Sequence, residues 1–297
     1  TGTLTLKDDN NEAGSLTATG GFNSAGIGGG YLGDGKNITI TGGTVNVTGG
    51  DNGGAGIGGG AEGGGGNNIT IKGGTVTATG GGYSGTGGAG IGGGSSGSGE
   101  NITINGGKVT ATGGSYAAGI GGGSVGFWGG ESGSGKNITI NGGTVNATGT
   151  DGGAGIGGGA TGSGSNVTVS GAAQVTATTG KSDGYYGAGA TIGNGGNMTD
   201  DGQPVDGEEI QADIRGVTTG YIHHIIYEQD GTTIKREWWE PERPQPNPEN
   251  PQPNPEDPNA PAEESNEVSL GTPGLHVETL EGVLLPFDAR QQGSTLR

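Results

Sequence analysis

The chain has 297 residues, of which 79 are Gly, none is Cys and 27% are hydrophobic. So small a hydrophobic share excludes one thick globular core but suffices for a thin, repeated one, and so much Gly without a strict three-residue period excludes collagen. The lack of Cys removes disulfides, thiolate metal sites and a Cys nucleophile, and a net charge of −18 offers nothing to nucleic acid or anionic lipid.

The charge is uneven. Residues 1–199 hold 10 acids and 6 bases, and residues 200–297 hold 20 acids and 6 bases, so the acidity belongs mostly to the C-terminal part. No apolar run approaches membrane-spanning length and no signal peptide is seen. The chain opens inside a repeat (SLTATGG from Ser15), which reads as a piece of a longer protein.

In chain order, one phrase returns: NITITGGTVNVTGG from Asn37, NITIKGGTVTATGG from Asn68, NITINGGKVTATGG from Asn101 and NITINGGTVNATGT from Asn137. A worn copy, NVTVSGAAQVTATT, starts at Asn166. Between copies stands AGIGGG, at Ala25, Ala55, Ala89, Ala118 and Ala154, with a decayed GATIGNG from Gly189. A period of about 30 residues marks stacked repeats.

Each copy offers three apolar patches. Ile38 and Ile40 alternate with Thr39, and Val45 and Val47 alternate with Thr44, Asn46 and Thr48. Period two predicts strands with one buried face, and β-branched residues suit them. The third patch puts Ala25 and Ile27 on one side and Gly on the other. Gly-Gly pairs supply the bends. The expectation is all-β: a parallel β-helix of about six coils with three short strands each, stacked at ~4.8 Å. Three columns should fill it: Ile38, Ile69, Ile102, Ile138 and Val167; Val45, Val76, Val109, Val145 and Val175; Ile27, Ile57, Ile91, Ile120, Ile156 and Ile192.

Spacing from the NITI strand to the next is nearly constant, while the other two connections vary. One corner is therefore rigid and two are loops, and loop faces of solenoids are often binding faces. Asn37, Asn68, Asn101, Asn137 and Asn166 recur at one corner and predict a ladder of side-chain amides. Each also opens an N-x-T glycosylation triplet. Outward Thr residues make an array that resembles ice-binding faces, although Thr is also an ordinary solvent-facing strand residue.

Aromatic residues avoid the core columns. Phe22, Tyr83, Tyr116, Tyr185 and Tyr186 fall in the loop after the T-x-T strand, together with Asp51, Asp151 and Asp183. Tyr83 and Tyr116 should be neighbours on one edge. Phe127 and Trp128 sit in the longest insertion, near Glu131. Rings beside carboxylates are what a sugar-binding groove needs. Calcium is the cofactor to consider, with Asp51 and Asp151 as its carboxylates, but AGIGGG lacks the Asp of the calcium-binding nonapeptide. Catalysis finds no support: residues 1–199 have no Arg and no His, and no acids recur as a facing pair. AGIGGG is no phosphate loop, lacking the Lys-Ser/Thr ending.

The repeats stop at about residue 196. Tyr221–Tyr227 and Thr232–Trp239, joined around Asp230-Gly231, read as a hairpin. Residues 197–240 are expected to cap the last rung or to form a small β module. The adjacent His223 and His224 should face opposite ways, which disfavours a shared metal. Residues 241–261 hold nine of the 12 prolines and read as an extended spacer. Residues 262–297 read as a tail or the start of a further module.

The NITI-x-GG-T-V-x-A-T-G-G and AGIGGG copies resemble the Gly-rich right-handed parallel β-helix repeats of large bacterial surface proteins, over about residues 13–196. The resemblance implies a noncatalytic relative of the pectate-lyase-like superfold, extracellular and adhesive, with polysaccharide or cell-surface glycan as ligand. The alternatives are a structural stalk, an ice-binding face and, least supported by the residues, a polysaccharide lyase or hydrolase.

Overall fold

Alternation sets the inward faces, and they stack in register. The computed structural model describes residues 2–8, 14–83, 85–125 and 131–242, and separately the antiparallel pair Gln291–Gln292 and Thr295–Leu296. Residues 1–243 and 244–297 are two units. The expected spacer and tail fall almost wholly outside the described residues.

The first unit is an all-β parallel solenoid, with no helix among the described residues. Its first sheet stacks Leu4–Leu6, Gly35–Ile40, Gly66–Ile71, Gly99–Ile104, Gly135–Ile140, Gly164–Gly171 and Asp213–Val217. The second stacks Ser15–Thr19, Thr44–Thr48, Thr75–Thr79, Lys108–Thr112, Thr144–Thr148, Gln174–Thr178 and Tyr221–Tyr227, then adds Ile234–Glu240 antiparallel at its edge. The third consists of the two-residue Ile-Gly strands, from Ile27–Gly28 to Ile192–Gly193.

The pairing puts like residues on like. Ile102 lies opposite Ile69 and Ile138, and Val109 opposite Val76 and Val145. Ile120 lies opposite Ile91 and Ile156. These columns, with Ile40, Ile71, Ile104, Ile140 and Val169, are buried and form one core. Burying a side chain of this size is worth about 1.5–3 kcal/mol, so every turn adds its own share to a core that no single turn completes.

Two backbone features fix the coil. Gly92 of the third sheet has φ +139°, and a Cβ there would lie 2.0 Å from the Gly121 carbonyl oxygen one turn on. Gly58 and Gly157 meet the next turn at 1.9 Å, so this face accepts no side chain. At the constant corner, Gly43, Gly74, Gly107 and Gly143 have φ between +81° and +87°.

The solenoid has about five regular turns rather than six, because the first rung is short and exposed: Leu4–Leu6 has three residues where its neighbour has six. The C-terminal end also differs from expectation. Winding does not stop where the repeat stops: Asp213–Val217 and Tyr221–Tyr227 pair in parallel with the last coil. The second hairpin strand runs Ile234–Glu240 rather than Thr232–Trp239. Its edge position covers what would otherwise be an open strand of the second sheet.

Candidate functional site

The loop between the second and third sheets varies in length from coil to coil, and its aromatic residues build the site. In one coil it rises as a small hairpin, Gly82–Tyr83 against Thr86–Gly87. Tyr83 is 69% exposed at its tip. The Thr86 hydroxyl donates to the Tyr83 carbonyl at 2.8 Å and holds the tip closed. The next coil carries Tyr116 in the left-handed region, φ 60°. The coil after that has the short loop with Asp151, and the last carries the longer loop with Asp183, Tyr185 and Tyr186.

Tyr116 joins these loops. Its ring passes the Tyr83 hairpin at Gly85, where a Cβ would stand 3.7 Å from Cε2. On the other side it meets Tyr186 edge-on, centroids 5.7 Å apart and planes at 78°. Tyr186 in turn stands at 86° to Tyr185, at 4.8 Å. The Tyr116 hydroxyl donates to Asp183 at 2.6 Å. This bond, with burial, raises the Tyr116 pKa well above the ordinary phenol range. Asp183 also accepts from the backbone N–H groups of Tyr185 and Tyr186, each at 2.8 Å. Burial opposes the charge of Asp183, but these donors hold its pKa below the usual carboxylate value.

Asp151 differs from Asp183. It is half-buried, its neighbour Gly152 approaches Tyr186, and it makes no hydrogen bond or ion pair among the described residues. Burial raises its pKa, the Lys181 charge lowers it, and Asp183 raises it. Lys181 is drawn away toward the cap: a Cβ on Gly231 would meet its Cδ at 3.2 Å and its Nζ at 3.6 Å.

Among the proposed contact residues, Tyr116, Tyr185, Tyr186 and Asp151 therefore come together with Asp183. Tyr83 borders them, and exposed Asp51 lies one coil beyond Tyr83 on the same edge. Phe127 and Trp128 lie outside the described residues. Buried Ser124 accepts from the Gly87 N–H of the Tyr83 hairpin at 2.6 Å. No group of three or more His, Cys, Asp or Glu gathers in metal-binding geometry among the described residues.

The five corner asparagines all have φ between 54° and 57°. Asn68 donates to Asn37 and Asn137 to Asn101, both at 3.2 Å, and Asn166 to Asn137 at 3.1 Å. The pairing skips them: Lys36 pairs with Asn67 and Ile38 with Ile69. Each asparagine is thus a left-handed bend inside its strand. Sequence reasoning missed a second ladder, in which Asn141 donates to Asn105 and Ser170 to Asn141, both at 2.8 Å.

A further polar cluster was also missed. Glu209 accepts from the Thr191 N–H at 2.6 Å and the Thr191 hydroxyl at 2.8 Å. The same hydroxyl lies 2.5 Å from His224 Nδ1. Since it donates to Glu209, Nδ1 carries the proton and donates to Thr191. His224 is 3% exposed, stacks on Trp238 at 4.3 Å and leaves Nε2 without a partner. Burial pushes its pKa down to about 4. His223 faces the other way, stacked on Trp239 at 4.1 Å with Nε2 2.6 Å from Glu237.

A β-helix repeat family model matches residues 12–31, 38–61, 69–95, 102–124 and 138–160. The chain carries a β-helix repeat domain. No curated protein and no solved structure matches it. The β-helix repeats thus supply the scaffold, and the tyrosine cluster lies on loops that the repeat leaves free to vary.

Proposed function

We propose that this β-helix is a noncatalytic module of an extracellular, adhesin-type bacterial surface protein that binds carbohydrate along its loop edge. One observation carries the reading. Tyr116, Tyr186 and Tyr185 form a run of rings on one edge, and Tyr185 is 55% exposed although the core has no need of it. Rings of this kind stack on the apolar face of a sugar while nearby polar groups take its hydroxyls. Polysaccharide or cell-surface glycan is the ligand class. A noncatalytic role is supported by residues 1–199, which contain neither Arg nor His and whose six Lys residues are scattered along the repeats.

The test is a glycan array probed with the full chain, with and without calcium. Selective binding that falls at least tenfold in a Tyr83→Ala/Tyr116→Ala variant is the expected result. A blank array from a folded, β-rich sample would sink the reading. A structural stalk is then the better description, favoured by the two amide ladders, which serve the stack alone.

A further inference from the structure

The tyrosine edge carries more than a general affinity for sugars. Tyr186 is nearly perpendicular to both Tyr116 and Tyr185, at 78° and 86°. Tyr185 is 55% exposed beside the other two, and the face of an aromatic ring attracts a cation. Close to these rings stand two carboxylates that differ in kind, both of which act on Tyr116. Asp183 is occupied by three donors, whereas Asp151 has none among the described residues. Asp151 is also half-buried, so water serves it poorly.

A carboxylate so placed feels the Lys181 charge but makes no contact ion pair among the described residues. Lys181, whose charge acts on Asp151, has its Nζ 3.6 Å from where a Gly231 Cβ would stand. The loop is braced in this arrangement from the cap, since Gln229 stands against Gly184, 3.3 Å from where its Cβ would be. Rings at right angles beside a carboxylate without a hydrogen bond or contact ion pair are the requirements of an alkylammonium site.

We infer that the ring cluster of Tyr116, Tyr185 and Tyr186, with Asp151 beside it, binds the ammonium group of an amino sugar. The inference rests on the carbohydrate-binding reading above and specifies its substrate class: glycans with free amines, in preference to N-acetylated or uronate glycans. Three features act together. The rings hold the sugar face and the charge at once, Asp151 pairs with the ammonium, and the second carboxylate repels acidic polymers. A glycan is favoured over a basic peptide because the ring cluster offers stacking faces beside the single unpaired carboxylate of Asp151.

Calorimetry on the full chain tests this with four probes: a glucosamine hexamer held below the pKa of its amines, its N-acetylated counterpart, a uronate hexamer and hexalysine. The glucosamine hexamer is expected to bind at least tenfold tighter than the N-acetylated hexamer. The uronate is expected not to bind. Asp151→Asn should remove the preference while keeping weak binding of both neutral and amino sugars. Tyr185→Ala, which removes an exposed ring, should weaken both. Equal affinity for the two hexosamine hexamers, or an unchanged preference in Asp151→Asn, overturns the inference and leaves the carbohydrate reading standing. Hexalysine binding as tightly as the glucosamine hexamer overturns it in favour of a peptide site. No binding of any hexamer by folded protein overturns both.

Discussion

The corner asparagines show how one side chain can serve both backbone and stack. A left-handed φ is costly for most residues, but Asn tolerates it because its short amide bonds locally. Asn137 occupies such a position, φ 54°, and both donates to Asn101 and accepts from Asn166. Asn137→Ala loses the bonds and keeps the strained backbone, and should cost about 1–3 kcal/mol. Asn137→Gly loses the same bonds but relaxes φ, so it should cost less. Urea unfolding of the two variants separates these contributions, and an Ala variant as stable as the Gly variant would show that the bend is not strained. The column was legible in the sequence because the asparagines recur at the repeat period. Their left-handed backbone was not, because N-I-T-I alternates as an unbroken strand would.

At the scale of the element, the third sheet sits at the limit of close approach. Its strands have only two residues each, and its tightness comes from the missing side chains on the Gly face. Gly92→Ala would place a methyl group 2.0 Å from the Gly121 carbonyl oxygen at φ +139°. The adjoining backbone has to move, at a cost of at least about 3 kcal/mol. Gly21→Ala, where a Cβ meets nothing within 4 Å, should change stability by less than about 0.5 kcal/mol. Thermal melts of the pair check this, and equal midpoints would mean that the third sheet yields easily. The three core columns could be read from alternation because each turn repeats the same inward residues. The loops could not, since their contacts depend on how far each arm reaches. Tyr83 and Tyr116 were expected on one edge from equal spacing, and Tyr116 does pass the Tyr83 hairpin at Gly85, but its edge-on contact with Tyr186 across the short Asp151 loop was not foreseen.

For the whole molecule, the decisive region is the C-terminal end, where repetition gives no guide. Thr191, Glu209 and His224 come from three segments with no repeat between them, so their meeting was illegible in the sequence. They tie the last strand of the third sheet to the closing hairpin. Acid should loosen this tie. His224 is held near 4, first by burial and then by the charges of His223 and Arg236, against an ordinary value of 6.5. The unfolded chain therefore takes up this proton first. Stability from His224 is complete above about pH 6.5 and drains as the pH falls toward 4, by on the order of 3 kcal/mol at full extent. Glu209 works in the opposite sense. Burial raises its pKa, outweighing its bonds to Thr191 and Ile192 and the Arg236 charge, so protonation relieves part of its cost as the pH falls. The net slope is thus smaller than that of His224 alone. His224→Gln, which keeps a hydrogen-bonding side chain but does not titrate, should lose stability less steeply than the natural chain between about pH 7 and pH 4.5, the curves converging by about 1–3 kcal/mol. Urea midpoints across that range measure the convergence. Parallel curves would mean that His224 titrates alike in the folded and unfolded chain, and the cap would then owe its acid sensitivity to the carboxylates alone.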